Sequence, residues 1–111
     1  MTNSKQKGAK GEREWVNLCK SEGFDAYRSQ QYSGHKEKGD PDVIMAGLHT
    51  EVKRRQKLDL DNWLRQATSE AKEGKVPIVA HRKNNENWKV TMSAEDFFKL
   101  WREYSENFGE G

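Results

Sequence analysis

Asp42, which follows Gly39-Asp40-Pro41, is separated by eight residues from Glu51-Val52-Lys53, and these residue types are the ones divalent-cation chemistry needs. Strand side chains alternate between faces, so Glu51 and Lys53 share one face and Val52 points to the other. If Met45 pairs with Leu48 across the turn Ala46-Gly47, then Ile44 opposes His49 and Asp42 opposes Glu51. Directly opposed residues hold their Cβ atoms roughly 5 Å apart. Two carboxylates that close repel, and a divalent cation between them reverses the sign. Hard oxygen donors select Mg²⁺, with Mn²⁺ as a substitute, and these ions accept phosphate oxygens. Lys53, one pleat away, is placed to hold a water or to neutralise charge developing at a phosphorus. The chemistry implied is phosphodiester hydrolysis.

Each half of this pattern is common alone. Glu-x-Lys occurs on many solvated hairpin faces, and proline suits the first position of a strand. Their conjunction at hairpin spacing, with Arg54-Arg55 following, is what points to a site. Asp40 competes with Asp42 as the ligand; Asp42 is preferred because it follows Pro41 and shares the register of Glu51.

Glu12 is a third candidate acid. It lies three residues before Trp15 and seven before Cys19, on the apolar stripe of a first helix, which turns it toward the sheet. Acids also favour a first helical turn because of the helix dipole, and Glu14 reads as an acid of that ordinary kind. Gln66, three residues after Trp63 at the edge of a helix's inner face, is a possible metal or phosphate contact; a surface glutamine is the plainer reading. Ser33 and His35 lie in the loop ahead of the motif. Neither His35 nor His49 has an evident partner, His81 falls at a strand end, and no histidine is assigned a catalytic role.

The elements that position these residues follow from periodicity. A helix is predicted from Ala9 to Glu22, stopped at Gly23. A strand follows over Phe24 to Tyr32, then a polar loop over Ser33 to Pro41. The hairpin strands are Asp42 to Met45 and His49 to Lys53. A second helix runs from Leu60 to Lys72, capped by Asp59 or Asp61, with Trp63, Leu64, Ala67 and Ala71 inward. Val76 to Arg82 is a strand, Asn84-Asn85 turns it, and Trp88 to Met92 returns. Ser93 with Asp96 opens a last helix that ends near Tyr104 or Phe108. The order αβββαββα describes an α/β fold, a small three-layer mixed sheet flanked by helices. Residues 1–8 read as a flexible basic arm, and residues 9–108 as one domain.

Composition bounds the function. The chain has 111 residues, of which 32% are hydrophobic and 34% charged, with four Trp, four Phe and three Tyr. So polar a chain folds, but a partner subunit would help complete its burial. A single cysteine, Cys19, excludes an internal disulfide, and no Cys/His array has zinc spacing. No apolar run approaches the roughly 18 residues of a membrane span. With no signal peptide, a reducing, cytoplasmic setting is expected. The net charge of +2 hides an asymmetry: residues 93–111 hold two Lys/Arg against five Asp/Glu, leaving 18 against 13 before them. Lys7, Lys10, Arg13, Ser33, Arg54 and Arg55 are the candidate DNA contacts, since separate basic clusters suit a phosphate backbone.

Pro41-Asp42, Glu51-Val52-Lys53 and the preceding helical Glu12 resemble the PD-(D/E)xK nuclease signature. Within it, the chain is most similar to archaeal and phage-type Holliday-junction resolvases. Lys10-Gly11-Glu12-Arg13-Glu14, the strand after Gly23-Phe24 and the basic Lys53-Arg54-Arg55 stand in the order those enzymes use. The helix with Trp63 and Gln66-Ala67, and Val79-Ala80-His81-Arg82 before Trp88, resemble phage members. The likeness covers about residues 8–98 and implies a restriction-endonuclease-like fold. It implies Mg²⁺ on Asp42, Glu51 and the Val52 carbonyl, with Glu12 completing the site directly or through water. Lys53 would orient or activate water, and the products would be 5′-phosphate and 3′-hydroxyl ends. It also implies a homodimer, because a four-way junction needs two symmetric cuts. The last helix, with Phe97, Phe98, Leu100, Trp101 and Tyr104, has more apolar surface than one core stripe requires, and offers either a dimer surface or a core helix with ragged edges. A nuclease for flaps, nicks or duplex, a non-catalytic DNA-binding module, and a small basic interaction protein are the alternatives.

Overall fold

A computed structural model describes residues 4–29 and 37–108. The elements are α1 (Ser4–Ser21), β1 (Tyr27–Arg28), β2 (Val43–Met45), β3 (Leu48–Arg54), α2 (Leu60–Glu70), β4 (Val76–Arg82), β5 (Lys89–Thr91) and α3 (Ala94–Glu106). They form a five-stranded mixed sheet in the order β1-β2-β3-β4-β5, with β3 and β4 parallel and the other pairs antiparallel. The β3–α2–β4 passage supplies the crossover that parallel neighbours require. This is the α/β architecture that the pattern predicts. No helix among the described residues is long and apolar enough to cross a membrane.

One face of the sheet is apolar. Trp15, Val16 and Cys19 of α1 pack there with Ala26, Val43, Val52 and Ala80, and Trp88 tilts against Trp15 at 5.4 Å between ring centroids. Helix α1 can lie this close because Gly11 has no side chain: a Cβ there would meet the Arg54 Cβ at 3.1 Å. The helix ends in a Schellman motif, with Phe24 N–H donating to the Cys19 carbonyl and Gly23 N–H to that of Lys20; Gly23 supplies the positive φ of 92°. Helix α2 covers the opposite face, where Ala67 and Val79 are fully buried.

Several boundaries differ from those predicted. Helix α1 begins at Ser4, so the expected arm is helical over much of its length. Once a docked helix is nucleated, Lys, Gln and Ala extend it without needing an apolar stripe. Strand β1 is confined to Tyr27–Arg28, since only that pair meets β2. At the start of α2 the Asp59 carboxylate bonds the Asn62 side chain and makes no cap bond to the backbone. Ser93 does cap α3, accepting from the Asp96 N–H at 3.1 Å. Yet α3 buries no residue, and Phe97, Phe98, Leu100, Trp101 and Tyr104 are each 44–57% exposed. These rings stack on one another instead, as Phe97 does on Trp101.

Candidate active site

Strand β3 lies between β2 and β4 with a helix over each face, so His49, Thr50, Glu51 and Val52 are all buried. Among the described residues the largest fully buried side chain is a carboxylate, Glu51, at 1% exposure. Burying a carboxylate is costly unless partners or a cation compensate it.

The hairpin takes the register that alternation predicts, pairing Met45 with Leu48, Ile44 with His49 and Val43 with Thr50. Asp42 stands just outside β2. Its N–H donates to the Thr50 carbonyl at 2.8 Å, and its Oδ2 accepts the Val52 N–H at 2.8 Å. Asp42 thus grips the edge of β3 on both sides of Glu51. Asp40 has different work: its carboxylate accepts the N–H of Glu37 at 3.0 Å within a turn.

Asp42 and Glu51, on the two arms of the hairpin, are both buried carboxylates, and hard oxygen donors of that kind suit Mg²⁺ or Mn²⁺. Glu12 reaches the neighbourhood through an ion pair with Arg28 Nε at 2.9 Å. Arg28 pairs with Val43, and the next residue, Ser29, donates its N–H to the Asp42 carbonyl at 3.3 Å. Lys53 shares the Glu51 face, its Nζ 5.9 Å from the centre of the Trp63 ring on α2. Cation–π attraction holds the amine over the ring.

Other candidates fall elsewhere. Gln66 is exposed, and its Nε2 donates to Glu70 at 3.3 Å. Arg54 points to the α1 face, opposite Glu51 and Lys53, where its Nε lies 3.4 Å from Glu14. Glu14 also holds Arg82 at 3.0 Å, so an acid read as ordinary ties α1 to β3 and β4. Lys10, Arg13 and Arg55 are exposed. Ser33, His35 and the side chain of Lys7 lie outside the described residues.

His49, which has no evident partner in the sequence, gains two in the fold, and one of them, Glu70, carries no sequence signal. His49 Nε2 is 3.1 Å from Glu51 Oε1 and 3.8 Å from Glu70 Oε2, and the three groups offer donor atoms within 4.8 Å of one another. Strand alternation already set His49 on the Glu51 face; only the docking of α2 brings Glu70 there. His81, beside Lys53 in the sheet, bonds the Thr91 hydroxyl at 2.8 Å. Burial, and then the charge of Lys89, hold its pKa below the ordinary histidine value.

Comparison with known proteins agrees with this fold. No curated protein matches the chain. Among solved structures, the Hjc Holliday junction resolvase of Archaeoglobus fulgidus, an archaeal hyperthermophile, superposes with a TM-score of 0.61 at 23% identity, over 78% of this chain and 72% of that one. The archaeal Holliday junction resolvase (Hjc) family matches over residues 3–105. A match of that extent decides the assignment: the chain belongs to the archaeal Holliday junction resolvase family.

Proposed function

We propose that this chain resolves four-way DNA junctions as a homodimer, hydrolysing phosphodiester bonds with Mg²⁺ held by Asp42, Glu51 and the Val52 carbonyl, and with Glu12 completing the site. Its family makes it a Holliday junction resolvase and a metal-dependent nuclease; the ion and the residue roles are our reading. The observation that carries the reading is the burial of Glu51 at 1% exposure, with Asp42 bonded to the strand on either side of it. Acids are rarely buried so fully, and a cation would add to the compensation that His49 gives the Glu51 carboxylate.

The cation supplies a polarised phosphate oxygen and a more acidic water. The protein does the rest. Asp42 and Glu51 are held rigid by main-chain bonds and burial, so little reorganisation accompanies reaction. Lys53, retained over Trp63, donates to the water or phosphate and stabilises charge as the pentavalent state forms. Glu12, its charge balanced by Arg28, completes the donor set directly or through water. Lys7, Lys10, Arg13, Ser33, Arg54 and Arg55 contact phosphates, which position the junction without reading its sequence.

The uncovered aromatic face of α3 supports dimerisation. A second copy there would bury rings that now stack only on each other, and would pair two sites for two cuts. Sedimentation over a range of concentrations tests this: a monomer throughout removes the dimer from the proposal. For the chemistry, labelled junction, flap and duplex are incubated with Mg²⁺ and with EDTA. The proposal expects junction cleavage that needs the metal and leaves 5′-phosphate and 3′-hydroxyl ends. Equal cutting of flap or duplex would replace it with a broader nuclease, and no cutting would remove it.

A further inference from the structure

We infer that His49 is a positioning residue for the Glu51 carboxylate, with Glu70 supporting the imidazole from α2. The inference rests on the reading of Glu51 as a metal ligand.

His49 and Glu51 lie two residues apart on one face of β3, with side chains 4% and 1% exposed, and Nε2 is 3.1 Å from Oε1. At that distance one of the two atoms must carry a proton. A second carboxylate lies on the same side of the ring. Glu70 Oε2 is 3.8 Å from the same Nε2, so negative charge approaches that nitrogen from the strand and from α2. Two carboxylates on that side suit an N–H at Nε2, which can donate to Glu51 Oε1. Glu70 is steadied by Gln66 one helical turn earlier, whose Nε2 donates to Oε1 at 3.3 Å. The chain of contacts Gln66–Glu70–His49–Glu51 therefore runs from an exposed helix surface to the buried acid.

The consequence is geometric. A glutamate carboxylate turns freely about its last bond. An N–H fixed on one oxygen sets that rotation and presents the other oxygen in a constant direction. Bonds of this kind to metal-ligating groups are worth about 10–100-fold in metal affinity. They act on the ligand and do not touch the cation.

The experiment is Mn²⁺ binding followed by calorimetry on the whole protein, without DNA, for wild type and for Glu51→Gln, His49→Ala, His49→Gln and Glu70→Gln. Thermal melts accompany each variant. We expect His49→Ala to weaken Mn²⁺ at least about 10-fold. His49→Gln should recover most of this, since a glutamine N–H can reach the same oxygen, and Glu70→Gln should produce a smaller loss. If His49→Ala does not fold, the His49→Gln and Glu70→Gln results decide. Affinity unchanged in His49→Ala or Glu70→Gln overturns the inference. So does an equal loss in His49→Ala and His49→Gln, which would make the ring a direct ligand. Failure of the underlying reading looks different: wild type and Glu51→Gln would bind Mn²⁺ alike.

Discussion

The Val52 backbone N–H donates to Oδ2 of Asp42 at 2.8 Å, so a side chain outside the hairpin ladder takes the place of a ladder acceptor. The bond fastens one proposed ligand to the residue that follows the other. It also separates two substitutions that are usually grouped together. In Asp42→Asn the amide oxygen still accepts from Val52, so the fold is retained while the charge and the cleavage are lost. In Asp42→Ala the buried N–H is left unpaired as well, at a cost of about 1–3 kcal/mol. Denaturant melts beside cleavage assays check this; equal stability of the two variants would contradict the role given to the bond.

Metal should stabilise the folded chain through Glu51. A ligand that binds only the native state adds about 2.7 kcal/mol at a hundred times its dissociation constant. Mg²⁺ is expected to raise the melting temperature of the wild type and to leave Glu51→Gln where it was. Calorimetric scans with Mg²⁺ and with EDTA make the comparison. A similar rise in both proteins would put the cation elsewhere.

The Glu12–Arg28 pair is partly buried, with side chains 16% and 9% exposed. Removing one partner of such a pair weakens the compensation of the other charge, so Arg28→Ala should cost about 3 kcal/mol. Adding Glu12→Gln to Arg28→Ala should restore part of that stability. A double-mutant cycle by urea unfolding measures the coupling, and additive losses would show that the pair contributes nothing of its own.

His81 sets a pH dependence of stability. Its folded pKa is lowered from 6.5 by burial, then by Lys89, so the unfolded chain takes up the proton first. The stabilisation is complete above 6.5 and is lost as pH falls through the depressed folded value. Melts in a pH series should show stability falling below 6.5, less steeply in His81→Asn. The same slope in both proteins would remove His81 as the cause.

The hairpin register was legible because a two-residue turn fixes the pairing of Met45 with Leu48, and the pairs Ile44 with His49 and Val43 with Thr50 follow from it. The limits of β4 were legible too, since a run such as Val76-Pro77-Ile78-Val79-Ala80 is buried on both faces. What stayed hidden depended on contacts distant in sequence. Glu14 is one helical residue among several acids until α1 docks over Arg54 and Arg82. Glu70 is a surface acid until α2 closes over β3 and brings it to His49. The bond from Val52 to Asp42 escaped for another reason: alternation describes where side chains face, and this one turns back to the main chain.

The most direct test is cleavage of an end-labelled four-way junction in Mg²⁺ by wild type, Glu51→Gln and Lys53→Ala, with binding measured in parallel. The account predicts symmetric cuts by the wild type and a rate at least about 100-fold lower in each variant, with junction binding kept in both. Glu51→Gln cutting the junction as fast as the wild type would contradict it.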